Sequence, residues 1–285
     1  MNTSNRFHPN EKIECYHYQL DGAISRERLC TPVEQDIDLM VNGEPWITFM
    51  CTPIQLQALA IGFLYNENVI QGTNEIASWH LCDQDKLDIW LTHGAQKPLT
   101  WERASGCAGG KSGGKKVRLF EYVNSNAVLT PAAIIENIQM LFAAQELYHQ
   151  SRGVHCSALS DGVRLRFVSE DIGRHNTYDK LTGQYLLSGE TFEPLVLLTT
   201  GRVSSEMMQK AARLGSVFVI SHSSPTNRSI KIAEETGVTL IGYARRNGFN
   251  VYTHHHRVQV PQVNAAAQPS EPDSRQSGTD PGCSH

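Results

Sequence analysis

The chain lacks the cysteine patterns of disulfide-rich and zinc-binding proteins. Its 285 residues include seven cysteines, an odd number, and no two of them form a CxxC pair. Wide and irregular spacings of this kind indicate neither a disulfide framework nor a tetrahedral zinc site. We therefore expect free thiols and a reducing, cytoplasmic environment.

Long apolar segments and an excess of positive charge are also missing. Residues 1–14 are polar, without the apolar centre of a signal peptide, and no apolar run approaches the length that spans a bilayer. A formal net charge of −4 does not favour a general nucleic-acid binder. The sequence thus predicts no membrane or nucleic-acid partner, and any anion site must be a local basic patch.

Two signatures of nucleotide chemistry are absent as well. No GxxxxGK[ST] segment of a P-loop occurs. The H-x-E and P-C-x-x-C set of the zinc deaminases is not present either. The composition, 40% hydrophobic and 19% charged, is otherwise typical of a globular protein.

Among the segments that are present, residues 103–118, RASGCAGGKSGGKKVR, are the most unusual. Cys107 lies there among five glycines and five lysine or arginine side chains. The absence of apolar periodicity predicts a loop, and neighbouring cations lower the pKa of a cysteine thiol from its free value of about 8.5. A reactive, thiol-bearing loop is one interpretation, and a flexible linker with an incidental cysteine is the other.

The first half of the chain is typical of a small α+β unit. Asn42-Gly43 between two apolar runs predicts a β-hairpin over residues 36–49. Thr52-Pro53 predicts a helix with Thr52 as its N-cap. Further strands are expected at residues 13–20, 76–81 and 87–91.

The second half alternates strand and helix patterns. Thr130-Pro131 predicts a helix that continues to about residue 150 and bridges the two halves. Short links between later elements indicate an α/β fold with parallel strands. The expected strands are residues 163–168, 195–200, 217–220, 238–243 and 249–253, and the expected helices are residues 175–187, 204–214 and 226–236.

Polar loops follow several of these predicted strands. Residues 170–176 combine carboxylates, a guanidinium and an imidazole, while residues 199–205 and 221–226 place hydroxyls at helix N-termini suited to phosphate. Each signal alone is weak, and a salt-bridged helix cap explains residues 170–176 equally well. Because ligand groups gather at the carboxyl ends of parallel strands, we expect these loops at one edge of the sheet. A cationic turn at the same edge consists of Tyr243, Ala244, Arg245, Arg246, Asn247 and Gly248.

Four long segments and the Cys107 loop resemble the FdhD/NarQ family of formate dehydrogenase accessory sulfurtransferases. The segments are TPIQLQALAIGFLYNENVI, EDIGRHNTYDKLTG, TTGRVSSEMMQKAARLG and GYARRNGFNVYTH, which begin at Thr52, Glu170, Thr199 and Gly242. The resemblance covers about residues 13–258, with the segments in the correct order. It implies a protein that carries sulfur from a cysteine desulfurase to the bis(molybdopterin guanine dinucleotide) cofactor, with molybdenum or tungsten, of a formate dehydrogenase.

The resemblance also implies residue roles and a fold. Cys107 would carry the persulfide, residues 243–248 would bind the cofactor, and the chain would act as a homodimer. The second half would adopt a cytidine-deaminase-like α/β fold beside a smaller α+β domain. The corresponding division is a loose N-terminus, an α+β domain, an α/β domain and a disordered tail at residues 1–12, 13–129, 130–260 and 261–285.

One position departs from a pattern of the family. Some members have a CxxC pair in the loop, whereas Gly110 occupies the second position here. Sulfur transfer would then use Cys107 alone or borrow a distant thiol such as Cys156.

Two other functions stay open on the residues. A chaperone that delivers the molybdenum cofactor without carrying sulfur would use the same anion-suited loops. A nucleotide-binding α/β enzyme would instead place a polar active site around Asp171 and His175.

Overall fold

The computed structural model describes residues 8–83, 85–97 and 122–260, which form three sheets and six α-helices. The Cys107 loop and the predicted tail lie outside the described residues. None of the helices in the described part of the chain is both long and apolar enough to cross a bilayer.

A two-stranded antiparallel ribbon begins the described chain. Its strands are β1 (Asn10–Tyr18) and β2 (Ile24–Pro32). The strand expected at residues 13–20 is thus confirmed, but it begins inside the segment predicted to be loose. Strand β2 was not indicated by the sequence, because a ribbon exposed on both faces needs no alternation of apolar and polar residues.

A four-stranded sheet follows, in the order β4-β3-β6-β5. The predicted hairpin is confirmed, because Asn42 and Gly43 both adopt the positive φ values of a tight hairpin turn, 53° and 81°. The two later strands expected in this half are also present. The four strands are β3 (Gln35–Val41), β4 (Glu44–Cys51), β5 (Ile76–Cys82) and β6 (Lys86–Leu91).

Helix α1 (Leu56–Asn66) buries Leu59 and Leu64 against this sheet. The predicted N-cap at Thr52 is wrong, because the helix begins after Gln55, whose φ is 55°. The Thr52 hydroxyl instead accepts a hydrogen bond from the Ile172 N–H at 3.3 Å. A distant partner has therefore taken the side chain that would otherwise cap the helix.

The bridging segment is two helices rather than the single helix expected to residue 150. Helix α2 (Pro131–Ala143) is capped by Thr130, as predicted, and α3 (Glu146–Ser151) begins separately. The Glu170 carboxylate accepts hydrogen bonds from the N–H groups of Leu147 and Tyr148 at 2.8 and 2.9 Å. This carboxylate satisfies the free N–H groups of a new helix start, which explains the break.

The remaining elements form a mixed six-stranded sheet in the order β12-β11-β10-β9-β7-β8. Strands β9, β10 and β11 are parallel, as the short links predicted, while β7, β8 and β12 are antiparallel to their neighbours. In chain order the elements are β7 (His155–Ser160), β8 (Leu165–Asp171), α4 (Arg174–Ser188), β9 (Val196–Thr199), α5 (Ser205–Leu214), β10 (Phe218–Ser221), α6 (Asn227–Thr236), β11 (Thr239–Arg245) and β12 (Gly248–Val251).

Helices cover both faces of the six-stranded sheet. Helix α2 packs on one face, and α4, α5 and α6 pack on the other. The mixed α/β class is therefore confirmed. The cytidine-deaminase-like description and the domain boundaries stay predictions.

Helices α1 and α4 cross in very close contact and join the two halves of the chain. A Cβ atom on Gly62 would lie 1.8 Å from the Asp179 carbonyl oxygen, and one on Gly183 would lie 1.9 Å from the Ala58 carbonyl oxygen. Only glycine allows two backbones to approach this closely. We call this crossing the joint, and we include in it the contacts that Thr52 makes with Asp171, Ile172 and Lys180.

Arg257 lies at the edge of the six-stranded sheet where the parallel strands begin, which we call the amino-terminal edge. Its buried guanidinium donates hydrogen bonds to the carbonyl oxygens of Val123, Ser125 and Gly237. The neighbouring Val258 pairs with Leu129. One side chain thus holds three separate chain segments together.

Candidate functional site

Four polar segments meet at the edge of the six-stranded sheet where the parallel strands β9 and β10 end, which we call the carboxyl edge. Thr199 at the end of β9 pairs with Ser221 at the end of β10 and with Ser157 of β7. His155 at the start of β7 pairs with Asp171 at the end of β8. The strand-end loops therefore lie along one edge, as expected.

Asp171 is buried in the joint and fully partnered. Its carboxylate lies 2.6 Å from the Lys180 Nζ atom, and both side chains are 0% exposed. It also accepts hydrogen bonds from the N–H groups of Thr52 and Gly173 and from the Asn176 amide, at 3.2, 2.7 and 2.9 Å. A carboxylate enclosed in this way holds the fold and does not contact a ligand.

Lys180 is equally occupied. Besides Asp171, its ammonium group donates to the carbonyl oxygens of Thr52 and Glu170 at 3.0 and 3.3 Å. The geometry favours the structural interpretation for Glu170 and Asp171 and removes Asp171 from the nucleotide-enzyme alternative. No local pattern signals Thr52 as a partner, since it lies 119 residues from Asp171 in the chain.

Four basic residues lie near one another at the same edge of the sheet, and we call them the basic cluster: His155, Arg174, His175 and Arg202. A Cβ atom on the buried Gly201 would lie 3.3 Å from the Arg174 Cβ atom and 3.5 Å from the His155 Nδ1 atom. Gly201 thus lies between the His155 imidazole and the aliphatic part of the Arg174 side chain. Arg202 is exposed at the rim.

The two imidazoles of the basic cluster are held neutral. Burial, together with the charges of Lys210 and Arg174, lowers the pKa of His175 to about 3. Burial and the charges of Arg174 and Arg202 also lower the pKa of His155, against an opposing effect of Asp171. Both shifts indicate positive potential in a poorly solvated space.

Two buried atoms of the basic cluster have no hydrogen-bond partner among the described residues. They are the Nε atom of Arg174 and the Nδ1 atom of His175. The other ring nitrogen of His175 lies 3.4 Å from the Ser204 hydroxyl and 3.5 Å from the Glu206 carboxylate. Unpartnered buried polar atoms are uncommon in folded proteins and call for an explanation.

The turn predicted to bind the cofactor lies further along the same edge. Tyr243 is 43% exposed and has a φ of 52°, a left-handed conformation that is rare for a bulky residue. Arg245, Arg246 and Asn247 are exposed, and Gly248 has a φ of 152°. Strained backbone of this kind is concentrated at functional sites. The role of the turn stays a prediction.

Ala244 differs from its neighbours in the turn because its side chain is buried. Its carbonyl oxygen lies 3.1 Å from the His222 Nδ1 atom, and the Tyr243 N–H donates to the Ser223 carbonyl oxygen at 2.9 Å. The His222 ring also packs edge-on against Phe142. These contacts anchor the turn to the loop that follows β10.

The thiols of the described residues separate into buried and accessible groups. Cys51 and Cys156 are both buried. Burial and the Asp171 carboxylate raise the pKa of Cys51 to about 12, and burial and the Glu170 carboxylate also raise the pKa of Cys156. Reactive thiols are accessible and have a lowered pKa, so the burial and raised pKa of Cys156 do not favour a share in the transfer. Cys107 lies outside the described residues.

Within residues 8–83, 85–97 and 122–260, no group of three or more histidine, cysteine, aspartate or glutamate side chains is arranged to hold a metal ion.

A cavity of about 650 Å³ opens near the starts of β9 and β10, at the opposite edge of the sheet. Its lining includes Tyr65, Tyr185 and Phe192 together with Arg213. The Arg213 guanidinium donates to the carbonyl oxygens of Tyr65 and Ile70, so the fold already uses this charge. The carboxyl edge is the better candidate for a functional site.

The chain is similar to curated bacterial proteins along most of its length. It is 36% identical over 246 residues to the sulfur carrier protein FdhD of Bacillus licheniformis, which covers 84% of this chain and 94% of that protein. It is 35% identical over 238 residues to the sulfur carrier protein FdhD of Staphylococcus aureus, covering 79% and 88% respectively.

A solved structure shares the fold. The crystal structure of a protein from Desulfotalea psychrophila, described as a formate dehydrogenase accessory protein, superposes with a TM-score of 0.75 at 24% identity. The match covers 88% of this chain and 100% of that chain. Residues 32–259 match the model of the FdhD/NarQ family. By this match and by its identity to the bacterial relatives, the chain belongs to the FdhD/NarQ family.

Proposed function

We propose that the chain is a sulfur carrier required for formate dehydrogenase activity. The observation that carries the proposal is the 36% identity, over 84% of the chain, to a protein named sulfur carrier protein FdhD. The sequence supports it with Cys107, which lies among five lysine or arginine side chains. Cationic neighbours favour the thiolate that sulfur chemistry requires.

In the proposed loading step, a cysteine desulfurase presents a persulfide. The Cys107 thiolate attacks the terminal sulfur, an S–S bond forms on Cys107, and the S–S bond of the desulfurase breaks. The desulfurase cysteine leaves as a thiolate, so the step involves no net oxidation. With Gly110 in place of a second loop cysteine, a single loop thiol holds the sulfur until its release.

The proposed acceptor of the sulfur is the bis(molybdopterin guanine dinucleotide) cofactor, bound as a substrate. Its pyrophosphates suit guanidinium groups, which bind phosphate in a bidentate manner. Arg245 and Arg246 are exposed in the turn at residues 243–248, beside the exposed ring of Tyr243. The buried side chain of Ala244 leaves only its backbone for such a contact.

The proposed assembly is a cytoplasmic homodimer that meets a cysteine desulfurase and a formate dehydrogenase. The ribbon of β1 and β2 supports a protein partner, since it exposes Ile13, Tyr16, Tyr18 and Leu29. Two-stranded ribbons are marginally stable on their own. Exposed apolar residues on both faces of this ribbon, among them the cross-strand pair of Ile13 and Leu29, are suited to contact with a partner.

Mass spectrometry after incubation with a cysteine desulfurase and L-cysteine tests the loading step. Wild type and Cys82→Ala, which removes an exposed thiol, are expected to gain one sulfur atom on the Cys107 peptide. Cys107→Ala is expected to gain none. Equal loading of wild type and Cys107→Ala would overturn the assignment.

A cofactor chaperone without a sulfur-carrying role is the second candidate, and the anion-suited loops at the carboxyl edge favour it. Complementation separates the two functions. In a strain that lacks this protein, Cys107→Ala is expected to leave formate dehydrogenase inactive. Full activity with Cys107→Ala would favour the chaperone.

A further inference from the structure

The cavity near the starts of β9 and β10 lies between the two halves of the chain. Tyr65 and Gln71 of the first half line it together with Tyr185 and Phe192 of the second. Its volume of about 650 Å³ is typical of small-molecule sites, which range over about 300–1,000 Å³ and occur preferentially where two packed units meet. The four residues of β9 separate it from the carboxyl edge by about 13 Å. The cavity is therefore a separate site.

Aromatic rings form much of the wall of this cavity. The Tyr185 and Phe192 rings meet edge to face, with 5.5 Å between their centroids. The Arg213 guanidinium lies 4.5 Å from the centroid of the Tyr65 ring, and the Tyr65 hydroxyl donates to the Arg213 carbonyl oxygen at 3.3 Å. These contacts fix the rings in place without a ligand. Fixed aromatic rings of this kind are suited to packing against another flat ring.

The charged groups of the cavity do not favour a phosphate. The Arg213 guanidinium donates to the carbonyl oxygens of Tyr65 and Ile70. Helix α5 ends here, since Leu214 is both its last residue and part of the lining. The carbonyl groups at a helix C-terminus disfavour a bound anion. In this respect the cavity is the reverse of the carboxyl edge, where helices begin.

Glu193 supplies a carboxylate to the lining, and its side chain is exposed. One of its oxygens accepts a hydrogen bond from the Ser125 hydroxyl at 3.2 Å. An ionised carboxylate offers about four lone-pair sites, so it can accept further hydrogen bonds from a ligand. Two neighbouring N–H groups match its two oxygens in the way that a guanidinium does.

Several polar groups in and beside the lining are uncharged. Burial, followed by the effect of Tyr65, raises the pKa of Tyr185, so its hydroxyl remains protonated. Ser216 lies between the lining residues Gly215 and Val217, and its buried hydroxyl has no partner among the described residues. Aromatic walls with a few polar groups are typical of sites for small organic molecules.

We propose that the cavity binds a neutral, planar heterocycle that carries two neighbouring N–H donors. The ring packs against Tyr185 and Phe192, and its two donors pair with the Glu193 carboxylate. A 2-amino-4-oxopyrimidine ring has this arrangement of donors, either alone or as part of a bicyclic base such as guanine. The site goes beyond the proposed function, because it involves neither Cys107 nor the turn at residues 243–248.

NMR titration of the full chain with isocytosine and uracil tests the site. Isocytosine has two neighbouring N–H donors, and uracil is the matched ring in which a carbonyl group replaces the amino group. Wild type is expected to bind isocytosine about tenfold more tightly than uracil, because uracil leaves one carboxylate oxygen without a donor. Glu193→Gln is expected to lose this preference, since the amide keeps the shape of the side chain but has only one acceptor oxygen.

Two control variants locate the ligand. Glu136→Gln replaces an exposed glutamate of α2, on the other face of the sheet, and is expected to keep the wild-type preference. Arg246→Gln, in the turn at residues 243–248, is expected to keep it as well. Loss of isocytosine binding in Arg246→Gln would overturn the site, as would equal preferences of Glu193→Gln and Glu136→Gln or no isocytosine binding to wild type.

Guanosine distinguishes the two sources of the ring. Tighter binding of guanosine than of isocytosine, lost in Glu193→Gln, indicates a bicyclic base, whereas weaker binding indicates a single ring. Sulfur loading of Cys107 is measured separately by mass spectrometry. Failure of the cavity as a binding site and failure of the proposed function are therefore distinguishable.

Discussion

The joint and the basic cluster differ sharply in how their charges are satisfied, although Asp171 and Arg174 are three residues apart. In the joint, Asp171 and Lys180 have a protein partner for every strong hydrogen-bonding group that the structure describes. In the cluster, Arg174 and His175 keep buried atoms without a partner in the described chain. Charged groups that are hydrogen-bonded within the protein stabilise the fold. Basic groups that keep unpartnered buried atoms are instead suited to binding a ligand. Substitutions should therefore lower stability in the joint and ligand affinity in the cluster.

The largest effect is expected for Gly183→Ala in the joint. The new Cβ atom would overlap the Ala58 carbonyl oxygen at 1.9 Å, and a backbone atom cannot move aside as a flexible side chain can. We expect a loss of about 5 kcal/mol or more, enough to unfold a marginal domain. Urea denaturation followed by circular dichroism measures it. Gly94→Ala, whose Cβ position is open, is the control, and equal midpoints for the two variants would contradict the close crossing.

A somewhat smaller loss is expected for Lys180→Met. The substitution leaves Asp171 charged and buried without its cation, which costs about 3–5 kcal/mol. Denaturant unfolding provides the measurement, and the double variant Asp171→Asn with Lys180→Met is expected to recover part of the loss. Arg174→Gln in the basic cluster should remain as stable as wild type. A comparable loss in Arg174→Gln would remove the distinction between the two regions.

The smallest effect is a change in pH dependence. The pKa of His175 is lowered to about 3 in the fold, chiefly by burial, then by Lys210, Arg174 and His155, whereas an unfolded histidine titrates near 6.5. Between these values the unfolded state binds more protons, so wild-type stability falls as the pH decreases through this window, by up to about 1.4 kcal/mol per pH unit. His175→Gln is expected to flatten this dependence in thermal unfolding from pH 7 to pH 4.

His93 provides the control for that experiment. The Gly94 carbonyl and the Glu75 carboxylate raise the pKa of this exposed imidazole. A raised pKa favours the folded state at low pH, so His93→Gln cannot flatten the curve. If His93→Gln and His175→Gln flatten it equally, burial of His175 is not the cause.

Local sequence signals predicted the helices of the second half well. The helices expected at residues 204–214 and 226–236 are α5 and α6. Ser204 and Thr226 cap them, and Gly215 and Gly237 end them with positive φ values. These signals work because a cap and the groups it satisfies lie within a few residues. Thr52 failed as a cap because Asp171 and Ile172, far along the chain, use its backbone and hydroxyl.

The strands that the sequence missed lack an amphipathic pattern. The ribbon strand β2 is largely exposed, whereas β7, HCSALS, is buried along nearly its whole length. Neither environment requires alternation of apolar and polar residues.

The basic cluster could be predicted from the sequence only in part. Its residues belong to the polar loops, but whether Arg174 finds a partner depends on the packing of three segments.

Arg257 has a consequence for how the chain folds on the ribosome. Translation delivers the amino-terminal residues first, so the carbonyl groups of Val123 and Ser125 emerge more than 130 residues before the Arg257 guanidinium that they bind. The third acceptor, the Gly237 carbonyl, precedes Arg257 by 20 residues. The amino-terminal edge of the large sheet can close only after residue 257 has left the exit tunnel. Completion of this domain is therefore an event that follows synthesis of nearly all of the described chain.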